Sequence, residues 1–438
     1  MKLFHYVGSL AAWFVSALVL PMASAESPSQ KGFRQIFNGQ DLTGWHGDNP
    51  HVTAKASAEK RAAAIEAQQE NFKKHWTIDR GDFVNDGEGP YATTNESFGD
   101  IEFLIDYKTV AGADSGIYMR GTPQVQIWDI NQVFKPDNPN RNPGLGSGGL
   151  FNNLPKTPGR DPLSPADEPF GEWNKFRIIQ IGSRTTVYLN NRLVVDNAVM
   201  ENFWDRALPL PAKGPIHLQT HGGEIRWRNL RVREIGPDEA IGHLRRNDST
   251  QGFTSLFNGQ DLSGWIGAVD NYQVVEGAIV CKKGKGGVLH SAEQYEDFVA
   301  RVEFRLPPGG NNGLAIRYPG KGQASYDGMC ELQILDEVHA KYSKLDPRQY
   351  HGAVYGMAPA HRGFLRPAGQ WNYQEVTVDG STIKVELNGT VIVDTDVSKI
   401  TEFKDDRPHP GKDSKRGHFG FAGHNDPVEF RRIAIKRM

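Results

Sequence analysis

The chain states one nine-residue phrase twice: F-N-G-Q-D-L-T-G-W from Phe37 to Trp45, and F-N-G-Q-D-L-S-G-W from Phe257 to Trp265. The spacing of about two hundred residues is far beyond the ~20–50 of solenoid or propeller repeats and matches a whole domain. With 438 residues the chain has material for two substantial cores. The economical organisation is a tandem duplication, with a first unit over residues 32–235 and a second over 253–438. Between them, residues 236–252 are polar, with Pro237, charged and small residues, which reads as a linker.

Strand signals dominate both units. Ile101–Tyr107 and Phe298–Phe304 occupy matching places, as do Lys175–Ile181 and Tyr373–Val378. Strands run into Asn-containing hairpin turns at Thr186–Asn191 and Lys384–Gly389. Glycine (48) and proline (26) are plentiful, as expected where short strands meet at turns. Many short strands without alternating helices give an all-β class, a β-sandwich or jelly roll in each unit. One stretch departs from this. Between about Thr53 and Lys74 the first unit is rich in strong helix formers and predicts an inserted helix, either capping a binding face or packed at the sandwich edge.

The N-terminus has the pattern of an export leader over residues 1–25: Lys2, an apolar stretch from about Val7 to Leu20, and the small-residue site Ala23-Ser24-Ala25. The expected location is periplasmic or secreted. The formal net charge of −2, with no long run of either sign, argues against nucleic acid or a membrane surface as partner. Cys281 and Cys330 are the two cysteines. They are too few for a disulfide framework or a zinc site alone, and either one bridge or two buried thiols is expected.

Chemistry enters through strand alternation, which puts every second residue on one face. In Pro123–Asp129, Val125 and Ile127 point to the core, so Gln124, Gln126 and Trp128 share the other face. In Cys330–Asp336, Glu331 and Gln333 do the same, with Asp336 closing the run as Asp129 does. An amide row beside an indole suits a sugar, with amides bridging hydroxyls and the ring stacking on C–H groups. A plain solvated face is the alternative. His217, Gln219 and His221 share a face in Ile216–His221, and in Phe419–His424 the last histidine returns as His424. Arg120 and Arg317, near the ends of matching strands, would either bind a sugar oxygen or pair with a carboxylate. Gly146-Ser147-Gly148-Gly149 lacks the lysine and helix of a phosphate loop and reads as a flexible turn. Metalloprotease, nucleophile-elbow and P-loop motifs are missing, and so is the strand-borne acid pair of ordinary jelly-roll glucanases.

Taken together, the opening F-N-G-x-D-L-x-G-W, Ser115–Gly121, Gln124–Asp129, Gly171–Asn174, Leu218–Gly223 and Arg226–Leu230 resemble the 3-keto-disaccharide hydrolase domain family. The resemblance covers the first unit and implies a concanavalin A-like jelly roll. The second unit looks like a more divergent member: it keeps Glu331–Asp336, Val354–Gly356 and Trp371-Asn372, but has Asn312-Gly313-Leu314, Ala422 and Arg432 where the first has Ser115-Gly116-Ile117, Gln219 and Asn229. Many relatives carry glutamate where the first unit has Gln124, and the second unit has Glu331. The resemblance implies an exported enzyme acting on 3-keto-glycosides, in which a base removes the proton beside the ketone, the aglycone is eliminated and water adds back. On that basis His221 is the candidate base of the first unit, with Asp129 as orienter or alternative base. Glu331 and His424 are the candidates of the second. Arg120, Gln124, Gln126, Trp128, Gln219, Gln333 and Asp336 are candidate sugar-binding residues. A divalent metal held by keto and hydroxyl oxygens would suit this chemistry, though no ligand cluster demands one. The first unit is favoured as the catalytic one. The rival reading is a non-catalytic carbohydrate-binding or adhesion protein on the same sandwich.

Overall fold

The duplicated phrase is a turn that closes each sandwich. Asn38 Oδ1 accepts from the backbone of Gln40 and Asp41, Asp41 Oδ1 accepts from Thr43 N, and Trp45 Nε1 donates to Ile36 O at 2.8 Å. Asn258, Asp261 and Trp265 repeat each bond, the last to Leu256 O at 2.8 Å. The glycine before each tryptophan holds a left-handed φ, +89° at Gly44 and +84° at Gly264, which an L side chain resists. The motif is therefore architectural: its polar residues tie off the turn and its tryptophan enters the core.

The structure, a computed structural model, describes residues 31–132 and 141–438; the expected leader over residues 1–25 lies outside them. It is mostly β, with four sheets forming two sandwiches. In each half an eight-stranded sheet faces a five-stranded one, and strand order is the same in both copies. In the first five-stranded sheet the order is Trp45–Asp48, Tyr91–Thr94, His217–Leu218, Ser115–Met119, Thr122–Ile127. In the second it is Trp265–Gly267, Gly286–Tyr295, Gly417–His424, Asn311–Tyr318, Cys330–Leu335.

Alternation builds the larger sheets. Along Ile101–Thr109 the residues Phe103, Ile105 and Tyr107 enter the core, while Glu102 on the other face accepts from Arg177 and Arg233. In the second half Phe298, Ala300, Val302 and Phe304 face inward, and Glu303 takes Arg431 and Arg432. Each buried carboxylate is held by two guanidiniums, as a charge removed from water requires.

Among the described residues four α-helices complete the picture: α1 (Pro50–Thr53), α2 (Ala58–His75), α3 (Pro237–Asn247) and α4 (Ala324–Asp327). Helix α2 is the expected insertion, capped by Ser57 and by Glu59 in its first turn. It covers an edge strand. Gln69 accepts from Gly47 N and donates to Gly47 O, satisfying strand groups that have no further strand to pair with. Phe72 lies where a Cβ on Gly47 would be, 2.6 Å away, so only glycine admits the helix this close.

The connector differs from a plain linker. Helix α3 buries Ala240, Ile241 and Leu244 in a cluster with Ile179 and Ile181 of the first half and Val280, Trp371 and Tyr373 of the second. The polar composition that suggested a linker belongs to its outer face. Arg184 reaches across to Glu386 in two bonds of 2.9 and 2.6 Å, and Ser183 N donates to Gly389 O at 3.0 Å. Cys281 and Cys330 are free buried thiols rather than a bridge, and burial raises both thiol pKa values.

Candidate functional site

The polar face of each five-stranded sheet carries the site, and the second copy shows it most openly. Leu332 and Ile334 enter the core, which turns Glu331 and Gln333 outward on the neighbouring positions. Across the sheet Phe419 and Phe421 enter the core and the strand ends at His424. His424 Nε2 meets Glu331 Oε1 at 3.1 Å. The glutamate is almost fully buried, whereas the imidazole is 45% exposed, so one end of the pair is fixed and the other meets solvent. Gly313 makes this possible: a Cβ there would lie 2.1 Å from Glu331 Oε1.

Both residues line a cleft of about 500 Å³, together with Asn311, Gln333, Tyr326, Gln349 and Arg407. That volume falls in the range of small-molecule sites. The bond to Glu331 raises the His424 pKa, its burial opposing and the glutamate's charge adding. A carboxylate on one ring nitrogen fixes the tautomer and leaves the other nitrogen as a stronger base.

The first copy assembles a similar face from different residues. His221 Nδ1 pairs with Asp114 Oδ2 at 3.2 Å, and this bond raises its pKa. Gln124 stands in the register position of Glu331 and donates to Gln126 Oε1. Gln126 in turn donates to Asp114 Oδ1 at 2.8 Å. Next to this group lie Tyr91, Tyr118, His51 of α1 and Trp204, with the His51 ring 5.2 Å from Trp204 and 6.3 Å from Tyr91. His217 is fully buried, takes Thr93 Oγ1 at 2.7 Å, and burial pulls its pKa down to about 3, so it is neutral at ordinary pH. Gln219 donates to Tyr91 Oη at 3.3 Å.

The expected site residues thus separate into two groups. His221, Gln124, Gln126 and Gln219 share one face in the first copy; Glu331, His424 and Gln333 share it in the second. Four others are placed elsewhere. Arg120 is buried and holds Asp100 at 2.9 Å with Gly99 O and Pro211 O; Arg317 repeats this with Asp297 at 2.7 Å. Both guanidiniums are buried and taken up by these ties, the carboxylate-pairing alternative of the two expected. Asp129 Oδ2 accepts from Gly112 N and Asp336 Oδ2 from Gly309 N, each at 2.7 Å. Each fastens a loop through that oxygen, apart from the histidine of its own half. Trp128 is buried and meets Phe151 edge-on at 5.0 Å, so it offers little open ring for stacking. The glycine run at Gly146–Gly149 is not a free turn either: Gly148 and Gly149 pair with both backbone groups of Gln126 at 2.8 and 2.9 Å, extending the sheet.

Asp114 is a candidate site residue that sequence reasoning missed. Its signal was present in the duplication, since the matching position holds Asn311. Tyr326 of the short helix Ala324–Asp327 and Arg407, whose guanidinium lies 3.4 Å over the Tyr326 ring, come from segments that no motif marks. Among the described residues no three His, Cys, Asp or Glu side chains converge as a metal site. The donor set at the cleft is one carboxylate and one imidazole, Glu331 and His424.

Comparison with known proteins shows the family. A 3-keto-disaccharide hydrolase of Bacteroides thetaiotaomicron is 24% identical over 226 residues, covering 42% of this chain and 78% of that protein. Among solved structures, a candidate glycosyl hydrolase of Parabacteroides distasonis is 23% identical with a TM-score of 0.39, covering 42% of this chain and 99% of that one. A carbohydrate-binding module of Bacillus subtilis is 11% identical with a TM-score of 0.24, covering 42% and 95%. The 3-keto-alpha-glucoside-1,2-lyase-like domain matches residues 32–233 and again 252–436, so the chain belongs to that family and carries its domain twice.

Proposed function

We propose that this protein cleaves the glycosidic bond of 3-keto-glycosides, and that the cleft of the second domain is a place where it does so. The observation that carries the reading is the Glu331–His424 pair on the floor of that cleft. A ketone at the third sugar carbon acidifies the hydrogen on the second. His424, neutral and with its tautomer set by Glu331, takes that proton. The electron pair forms the double bond to the first carbon as the C1–O bond to the aglycone breaks. Water then adds its hydroxyl to the first carbon and gives its other proton to the departed aglycone oxygen, while His424 returns its proton to the second carbon to give the free 3-keto sugar. This route asks for one base and for donors near the keto oxygen, rather than for two acids flanking the bond. Arg407, Tyr326 and Gln349 line the cleft and supply such donors. The original preference for the first domain gives way here, because the family glutamate and an open cleft coincide in the second.

The test is release of p-nitrophenol from its 3-keto-glucoside and from its ordinary glucoside, with and without chelator. Release from the ketone alone, reduced in His424→Asn, is the expected result. Silence on both substrates with sugar binding intact would sink the enzyme reading and leave a binding module. Export is a separate part of the proposal. Sequencing the N-terminus of the secreted protein should find Glu26 first.

A further inference from the structure

The two polar faces differ by an exchange. At one position the second domain has Glu331 and the first has its amide, Gln124. At the other the first domain has Asp114 and the second has its amide, Asn311. Each acid is replaced by the side chain of the same shape without the charge. The neighbours do not change: Gln126 donates to Asp114 Oδ1 at 2.8 Å, and Gln333 donates to Asn311 Oδ1 at 2.6 Å. Each also donates to the next backbone carbonyl, Ser115 O or Asn312 O. The histidine is in place both times, and both times the one carboxylate present is the group that holds it, at 3.2 Å in the first domain and 3.1 Å in the second. A merely structural drift would be free to lose the carboxylate or to keep two. What persists instead is one imidazole with one acid.

We infer that the first domain holds a second working site for 3-keto-glycosides, in which Asp114 replaces the glutamate of the other domain as the group that positions the histidine. The inference rests on the function proposed above. The exchange has a chemical consequence. Asp114 takes Nδ1 of His221 and leaves Nε2 toward substrate, whereas Glu331 takes Nε2 of His424 and leaves Nδ1. Among the described residues neither remaining nitrogen has a hydrogen-bond partner, so each can accept a proton from carbon. The bases of the two sites point along different ring directions, and the sugar must be turned between them. Asp114 is a positioning residue, and His221 is the one that meets substrate.

The experiment uses the full chain in a His424→Gln background, which silences the second site. Release of p-nitrophenol from the 3-keto-glucoside should persist there, fall at least about tenfold on adding Asp114→Asn, and recover most of that loss when Gln124→Glu is added as well. Recovery is the decisive readout, since a structural aspartate would not be rescued by an acid on the neighbouring strand. Titration of the His221 ring by NMR runs alongside: Asp114→Asn should lower its pKa, and Gln124→Glu should raise it again. A thermal melt of each variant shows that it is folded. No turnover in the His424→Gln chain when the natural chain is active would overturn the second site, as would an Asp114→Asn chain that keeps its rate. If the natural chain has no turnover at all, the reading of function is what fails. The NMR arm then decides the pairing alone: an unmoved His221 titration refutes it, and a fall with recovery upholds it.

Discussion

At the scale of single residues the site depends on a tautomer. Glu331 raises the His424 pKa, chiefly through the hydrogen bond at 3.1 Å and against the cost of burial. The base must be neutral, so activity should rise as pH climbs through that raised value. Glu331→Gln removes the charge that favours imidazolium, and the acid limb of the pH–rate profile should then move to lower pH. With the first site silenced by His221→Gln, the plateau should fall by about tenfold or more, because the ring is no longer held. Folding responds with the opposite sign. A histidine whose pKa is higher in the folded state stabilises the fold below its unfolded pKa, and that contribution is lost as pH rises through the folded value. The two histidines were visible in the sequence because they recur at matching places. Their partners were not. Asp129 and Asp114 are alike as carboxylates in a sequence, but Asp129 is turned to Gly112 N while Asp114 meets a ring from a loop over a hundred residues away.

At the scale of elements, glycine positions decide what the sheets can carry. Gly313 leaves the space in which the Glu331 side chain lies across its neighbouring strand. Gly313→Ala would push the carboxylate off His424. The expected result is a loss of turnover comparable to that of Glu331→Gln, with the melting temperature little changed. In the first half, α2 closes the sandwich edge through Phe72 and Gln69. Phe72→Ala should cost about 3–5 kcal/mol in denaturant unfolding, since the ring is buried against Trp76. The helix was legible from its alanines, glutamates and lysines, and of its two expected roles the edge position is the one it takes. Helix α3 was not read as a helix, because three apolar residues in eleven look like a linker until the two surfaces that bury them are known.

At the scale of the whole molecule the two sandwiches are joined through α3, the Arg184–Glu386 pair and backbone contacts between close turns. Gly182 shows how tight the fit is: a Cβ there would lie 2.3 Å from Asn388 O across the junction. Leu244→Ala removes a buried side chain from the cluster shared by both halves and should cost about 2–5 kcal/mol. Calorimetry should then resolve two transitions where the natural chain shows one, and a single unshifted peak would mean the junction contributes little. The duplication has a second result. With two copies of one face, a charge can move from one strand to another in one copy without loss of the other.

The sequence by itself determined the duplication, the β class, the inserted helix and the polar strand faces, because these follow from periodicity and local propensity. It also singled out His221, Glu331 and His424. The tertiary structure alone decided that Arg120 pairs with Asp100, that Asp129 and Asp336 fasten loops, that Asp114 lies against His221, and that α3 joins the halves. The physical reason is range. Alternation along a strand is set by the backbone of that strand, but the partner of a carboxylate is set by which distant loop or strand folding brings within about 3 Å of it.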